Sequence, residues 1–197
     1  MNVLLEALPE EWNGYIINTD FRVGIRISLA LEDPDLFEEE RWEIIVLLLF
    51  QSEDGSVRPH PQDTGEFEEL LTWFLSGWNM DGKPKERSKQ KLVDYNVDQW
   101  RIFADFRQVY GIDLSKEKMH FWAFCGLLWS LPSRQSSFLQ VIEIRRKKPG
   151  PKASAEEKAA IEEAHRIYGL DQQQEEEKKL TPEDEEKIDA FDRFRGK

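Results

Sequence analysis

Met119, Phe121, Trp122, Phe124, Cys125, Leu127, Leu128, Trp129 and Leu131 crowd into one short stretch and leave it almost no polar face. A helix that is apolar all round must be buried all round. Spanning a bilayer would take about 20 apolar residues, and no stretch of the chain approaches that length. The stretch is therefore expected to be the central helix of a helical domain, capped by Ser115 and stopped by Pro132.

Other elements must wrap it. Phe67, Leu70, Leu71, Phe74, Leu75 and Trp78 follow at i, i+3, i+4, i+7, i+8 and i+11, one continuous helical stripe behind an Asp63–Glu66 capping pair. A helix from about Tyr95 to Tyr110 turns Ile102, Phe103, Phe106, Val109 and Tyr110 inward and ends at Gly111. Trp42 and the run Ile44 to Phe50 make a further helix, apolar on every face. Phe138, Leu139, Val141, Ile142 and Ile144 make a short one. Near the N-terminus, Tyr15 to Val23 reads as a short hairpin turning at Asn18-Thr19-Asp20, or as a helix that starts after Asp20. Asn79 to Gln90 reads as a polar loop. The fold class is mainly α: a compact helical domain, with or without a short N-terminal β-hairpin, followed by a linker and a C-terminal helical extension.

The formal charge of −12 is unevenly placed. Residues 1–144 carry −11, residues 145–152 carry +5 and residues 153–197 carry −6, which sum to −12. The basic block around Pro149-Gly150-Pro151 cannot continue a helix. It divides the chain into a core domain over 1–145, a basic Pro/Gly linker over 146–152 and an acidic helical extension over 153–197. In the extension Ser154 and Glu157 form a capping box, with Ile161, Ala164, Ile167 and Tyr168 as a thin stripe. Thr181-Pro182 starts a second helix, striped by Ile188, Phe191 and Phe194.

Acidity argues against nucleic acid as the main partner, because phosphate binding needs a basic surface. The single cysteine, Cys125, can form no intrachain disulfide, and a reducing compartment is expected. No signal-like segment opens the sequence. None of His60, His120 and His165 has a His or Cys partner at ligand spacing, so no metal and no cofactor are expected. His120 is the one histidine that could act as a base, and a hydrogen-bonded structural role outweighs that reading. Asp94 and Asp98 share a helix face, where a capping Asp94 and an exposed Asp98 outweigh a cation site. No phosphate-cradling glycine loop exists. These readings point to a protein-binding module and away from an enzyme. Trp42, Phe50, Trp78, Ile161, Tyr168, Phe191 and Phe194 are the candidate partner-binding residues.

The central stretch also carries a pattern. It runs Asp94-Tyr95, Asp98, Ile102, Phe106, then Tyr110-Gly111-Ile112-Asp113-Leu114, then Met119-His120-Phe121-Trp122 with Phe124. Leu127-Leu128, Phe138, Val141-Ile142 and Ile144-Arg145 complete it. It resembles the bacteriophage gene-product-fifteen family of long-tailed phages and prophages, with Phe121 where a second Trp is common. The resemblance implies a tail-module protein, acting as an assembly chaperone for the tape-measure protein and meeting the tail-tube protein or further copies of itself. It implies action in the host bacterial cytoplasm and absence from the mature virion; the alternative is a structural component retained in the tail. The motif residues Asp94, Tyr95, Asp98, Phe106, Tyr110, Gly111, Asp113, His120, Trp122, Phe124 and Arg145 are expected to be mostly structural.

Overall fold

The computed structural model describes residues 2–78 and 91–170. The loop expected over 79–90 and the stripe of Ile188, Phe191 and Phe194 lie outside the described residues. Among the described residues the chain is mainly helical. A hairpin of β1 (Glu11–Trp12) and β2 (Tyr15–Ile16) precedes α1 (Phe21–Glu32), α2 (Glu38–Phe50), α3 (Thr64–Ser76) and α4 (Tyr95–Tyr110). Then follow α5 (Phe121–Trp129), α6 (Ser137–Arg146) and α7 (Ala155–Tyr168).

The hairpin turns at Asn13-Gly14, not at Asn18-Thr19-Asp20. Both turn residues take positive φ, 47° and 85°, which is what a two-residue turn between twisted strands requires. Asn18 serves another element. Its side-chain amide donates to Leu48 O and Gln51 O at 3.0 and 2.9 Å, satisfying carbonyls at the C-terminus of α2 that the helix leaves open. Asp20 then caps α1, its carboxylate accepting from Arg22 N at 2.9 Å.

The chain forms two compact units: residues 1–88 with 95–136, and residues 89–94 with 137–197. In the first, α1 packs on α2 and on α5. The start of α5 is fixed by backbone. Phe21 N donates to Met119 O at 2.8 Å and Phe121 N donates to Thr19 O at 2.7 Å, so α1 and α5 begin side by side. Ser115 therefore does not cap α5. Its amide and hydroxyl bond to Asp113 instead, at 3.1 and 2.6 Å, and the helix starts only at Phe121, with His120 as its cap.

From that start the rings of α5 reach three neighbours. Phe124 stacks on Phe21 and on Phe106, with centroids 4.9 and 5.3 Å apart. Phe121 stacks on Phe74 at 5.3 Å, and Trp122 meets Trp73 edge-on at 4.9 Å. Each such ring stabilises the fold by roughly 1.5–3 kcal/mol through burial alone. Close approach depends on two glycines. A Cβ on Gly24 would lie 2.2 Å from the Phe121 ring, and one on Gly77 would lie 2.2 Å from the Trp122 ring.

In the second unit α6 packs on α7. Arg145 Nε donates to Tyr168 O at 2.7 Å, and a guanidinium NH donates to Leu92 O at 2.8 Å. His165 Nε2 donates to Ile144 O at 2.8 Å. The Pro-Gly-Pro stretch breaks the helix after Arg146. It serves as the loop of a helix pair within the second unit, which takes in residues 89–94 and the chain from Ser137 onward. The cause is tertiary: Arg145 and His165 tie the two helices together across the loop. The Ser154–Glu157 capping box opens α7.

The Gly24 contact sets a sign. Gly→Ala in an open helix gains up to about 1 kcal/mol from propensity. Gly24→Ala is expected to lose about 1–3 kcal/mol instead, because the added methyl overpacks Phe121. Gly126 of α5 has nothing within 4 Å of a built Cβ, so Gly126→Ala is expected to stabilise. Urea denaturation of both variants distinguishes a real packing constraint from a general helix effect.

Candidate protein-binding surfaces

The motif residues lie mostly inside the first unit, and their side chains are used up by the fold. The Trp122 indole N–H donates to Phe74 O at 2.8 Å, near the end of α3. The Tyr110 hydroxyl donates to Leu127 O at 2.9 Å, near the end of α5. Gly111, at φ 70°, lets Gly111 N and Ile112 N fold back onto Arg107 O and Phe106 O and so ends α4. Asp113 pairs with Arg107 at 2.7 Å, and its carboxyl is held below the usual range by its hydrogen bond from Ser115.

Asp98 departs from expectation. It is fully buried, not exposed, and pairs with Arg101 at 3.3 Å. A second buried acid, Asp105, accepts from the Ser136 hydroxyl at 2.7 Å. Burial raises the Tyr95 phenol above its ordinary pKa, with Cys125 and Glu32 adding to it. In the second unit Asp94 pairs with Lys91 at 2.6 Å.

His120 has both ring nitrogens committed. The Trp122 amide must donate, so Nδ1 accepts from it at 3.0 Å. Nε2 therefore carries the proton and donates to Pro9 O at 2.9 Å. This is a neutral tautomer acting as a helix cap. Burial lowers its pKa, against smaller opposing effects of Pro9 O and Glu10. The Cys125 thiol, also buried, is pushed up to about 12. Among the described residues no three His, Cys, Asp or Glu side chains group as a metal site would require, and no helix is long and apolar enough to cross a membrane.

What remains uncommitted to the fold is surface. Phe50 is not part of it: the ring is fully buried against Phe67 and His60. Trp42 is half-buried, edge-on to Phe67 at 5.2 Å. Trp78 is half-buried and its indole donates to Leu75 O. The run Ile44 to Phe50 buries Ile45, Leu49 and Phe50 and turns Leu47 outward.

The largest exposed ring among the described residues is Trp100 on α4, 73% accessible, with Phe103 edge-on at 5.9 Å and half-buried. Trp100, Phe103, Ala104 and Arg107 follow at i, i+3, i+4 and i+7, so they share the helix face opposite Ile102 and Phe106. Sequence reading placed Phe103 inward and passed over Trp100. The phase was available: Trp100 sits about 200° around the helix from Ile102.

The second unit offers a groove of about 680 Å³. Ile144, Ile161 and Ala164 line it together with Lys147, Lys148, Lys152 and Glu157. No residue of α7 is buried. Of the expected binding residues, Ile161 lies here. Tyr168 is half-buried at the far end of α7, where its carbonyl receives Arg145.

A family model described as Bacteriophage Gp15 protein matches residues 4–170. The chain belongs to that family. It is a bacteriophage protein. No curated protein and no solved structure matches it. The family match takes in every helix described and stops at Leu170, so the acidic residues 171–197 fall outside it.

The His120 geometry gives a pH dependence with a definite sign. The folded pKa lies below the unfolded value of about 6.5. The unfolded chain therefore binds more protons between the two values, and stability rises with pH across that window. Stability is complete above about pH 6.5 and falls as pH drops below it, towards the lowered folded pKa. Thermal melts from pH 7.5 to 5 are expected to show this fall, and His120→Asn, which keeps a capping acceptor, should flatten it. An equal fall in both proteins would assign the dependence to other groups.

Proposed function

We propose that this phage protein is a tail assembly chaperone that binds the tape-measure protein and keeps it soluble until tail-tube subunits displace it. The observation that carries the reading is the exposed Trp100, flanked by the half-buried Phe103 and aligned with Arg107 on an outer face of α4, in a chain of the Bacteriophage Gp15 family. Trp and Arg dominate binding hot spots because one large side chain offers both apolar area and a polar end. A tape-measure protein is a long apolar helical chain, and an apolar helix face docks on such a surface.

The acidity of the chain supports the same reading. At a formal charge of −12, a complex with an aggregation-prone client stays dispersed by mutual repulsion. The protein acts by binding, not by chemistry. It works in the host bacterial cytoplasm and leaves before the virion matures.

Co-expression with the tape-measure protein is the direct test. Soluble tape-measure protein is expected to rise, and a complex to co-purify. Trp100→Ala is expected to weaken that complex at least tenfold, about 1.4 kcal/mol. The melting behaviour of the free chain should change by no more than an exposed substitution usually causes, within about 0.5 kcal/mol. No complex, with unchanged solubility of the client, overturns the reading. Stoichiometric amounts of this chain in purified virions, measured by mass spectrometry, would make it a retained tail component.

A further inference from the structure

The groove between α6 and α7, whose lining is apolar with a net positive charge, calls for an occupant that is apolar on one side and acidic on the other. Ile144, Ile161 and Ala164 supply apolar lining, and Lys147, Lys148 and Lys152 of the loop between the helices supply three positive charges against the single negative charge of Glu157, a net of +2. α7 alone cannot close this surface, since none of its residues is buried. A thin-striped helix of this length gains most of its stability from packing against something else.

The chain carries a matching sequence. Residues 171–197 hold ten acidic and six basic residues, net −4. Glu183-Asp184-Glu185-Glu186 is a block of four acids, and Ile188, Phe191 and Phe194 recur every third residue behind it. The block follows Thr181-Pro182, a helix-start signal. Reach is sufficient. α7 has 14 residues, about 21 Å at 1.5 Å each, and the groove lies along its N-terminal two-thirds. Residues 171–181 can span up to about 36 Å extended, enough to return the acidic block to the lysines of the α6–α7 loop.

We propose that this groove is the seat of the chain's own segment 182–194, with its acids against Lys147, Lys148 and Lys152 and its apolar stripe over Ile161 and Ala164. The inference is independent of the tape-measure reading.

Cysteine cross-linking of the full chain tests it. Ala160, beside Ile161 in the groove, and Phe191 are both changed to Cys; Cys125 is buried, with its thiol pushed up to about 12, and stays out of the reaction. Mild oxidation of dilute protein is expected to give an intramolecular disulfide, seen as a reducible shift of the monomer on a gel. A Glu162→Cys/Phe191→Cys control, about 200° around α7, should react at least tenfold more slowly. Charge reversal of Lys147, Lys148 and Lys152 to Glu should slow the Ala160 pair by a similar factor. Equal rates for the two pairs overturn the proposal, as does no effect of charge reversal. Cross-linked dimers in place of shifted monomers overturn it in favour of a second copy as the occupant.

Discussion

The first unit depends on the backbone bridge that joins residues 19–21 to residues 119–121. Two peptide hydrogen bonds hold the starts of α1 and α5 side by side. Helices that begin together bring their positive dipole ends together, which is unfavourable unless the caps supply compensating charge. Asp20 supplies a carboxylate at one cap and His120 a neutral imidazole at the other. A cationic side chain at position 120 would add to the positive end. The neutral tautomer, held by Trp122 N and Pro9 O, is the form this arrangement tolerates.

Once the bridge is set, the ring contacts of α5 follow from helix phase. Phe121, Trp122 and Phe124 leave the helix in three directions, towards Phe74, Trp73 and the Phe21–Phe106 pair. Each direction needs clearance, and Gly24 and Gly77 provide two of the three. This is why the aromatic motif is structural. Its rings are consumed in fixing α5, whereas Trp100, outside the motif, stays exposed on α4.

Much of the helical architecture was legible because the signals are local. The stripe from Phe67 to Phe74, the Asp63 and Ser154 caps and the Gly111 stop all depend on neighbours within a turn or two, and the structure places them accordingly. The hairpin turn at Asn13-Gly14 is equally local, while in Asn18-Thr19-Asp20 the side chains of Asn18 and Asp20 cap the ends of α2 and α1. Other features were not local. Whether Ser115 or His120 caps α5 is decided by Thr19, about a hundred residues away. Whether Phe50 or Trp100 faces solvent depends on which helices pack against α2 and α4, and apolar character alone does not say. The pairing of α6 with α7 rests on Arg145 and His165 reaching main-chain carbonyls, which no composition shift marks.

The distance spanned by that bridge bears on how the protein is made. Synthesis proceeds from the N-terminus, and domains generally fold as units once their parts have emerged. α1, α2 and α3 can leave the ribosome with their apolar faces formed, yet the strand of chain that bonds Thr19 and Phe21 is made about a hundred residues later. Until then Phe21 and Phe74 lack the rings that stack on them. Contacts that close so long a loop slow folding relative to purely local helical packing. The nascent N-terminal half is the stage at which it is itself most exposed to aggregation.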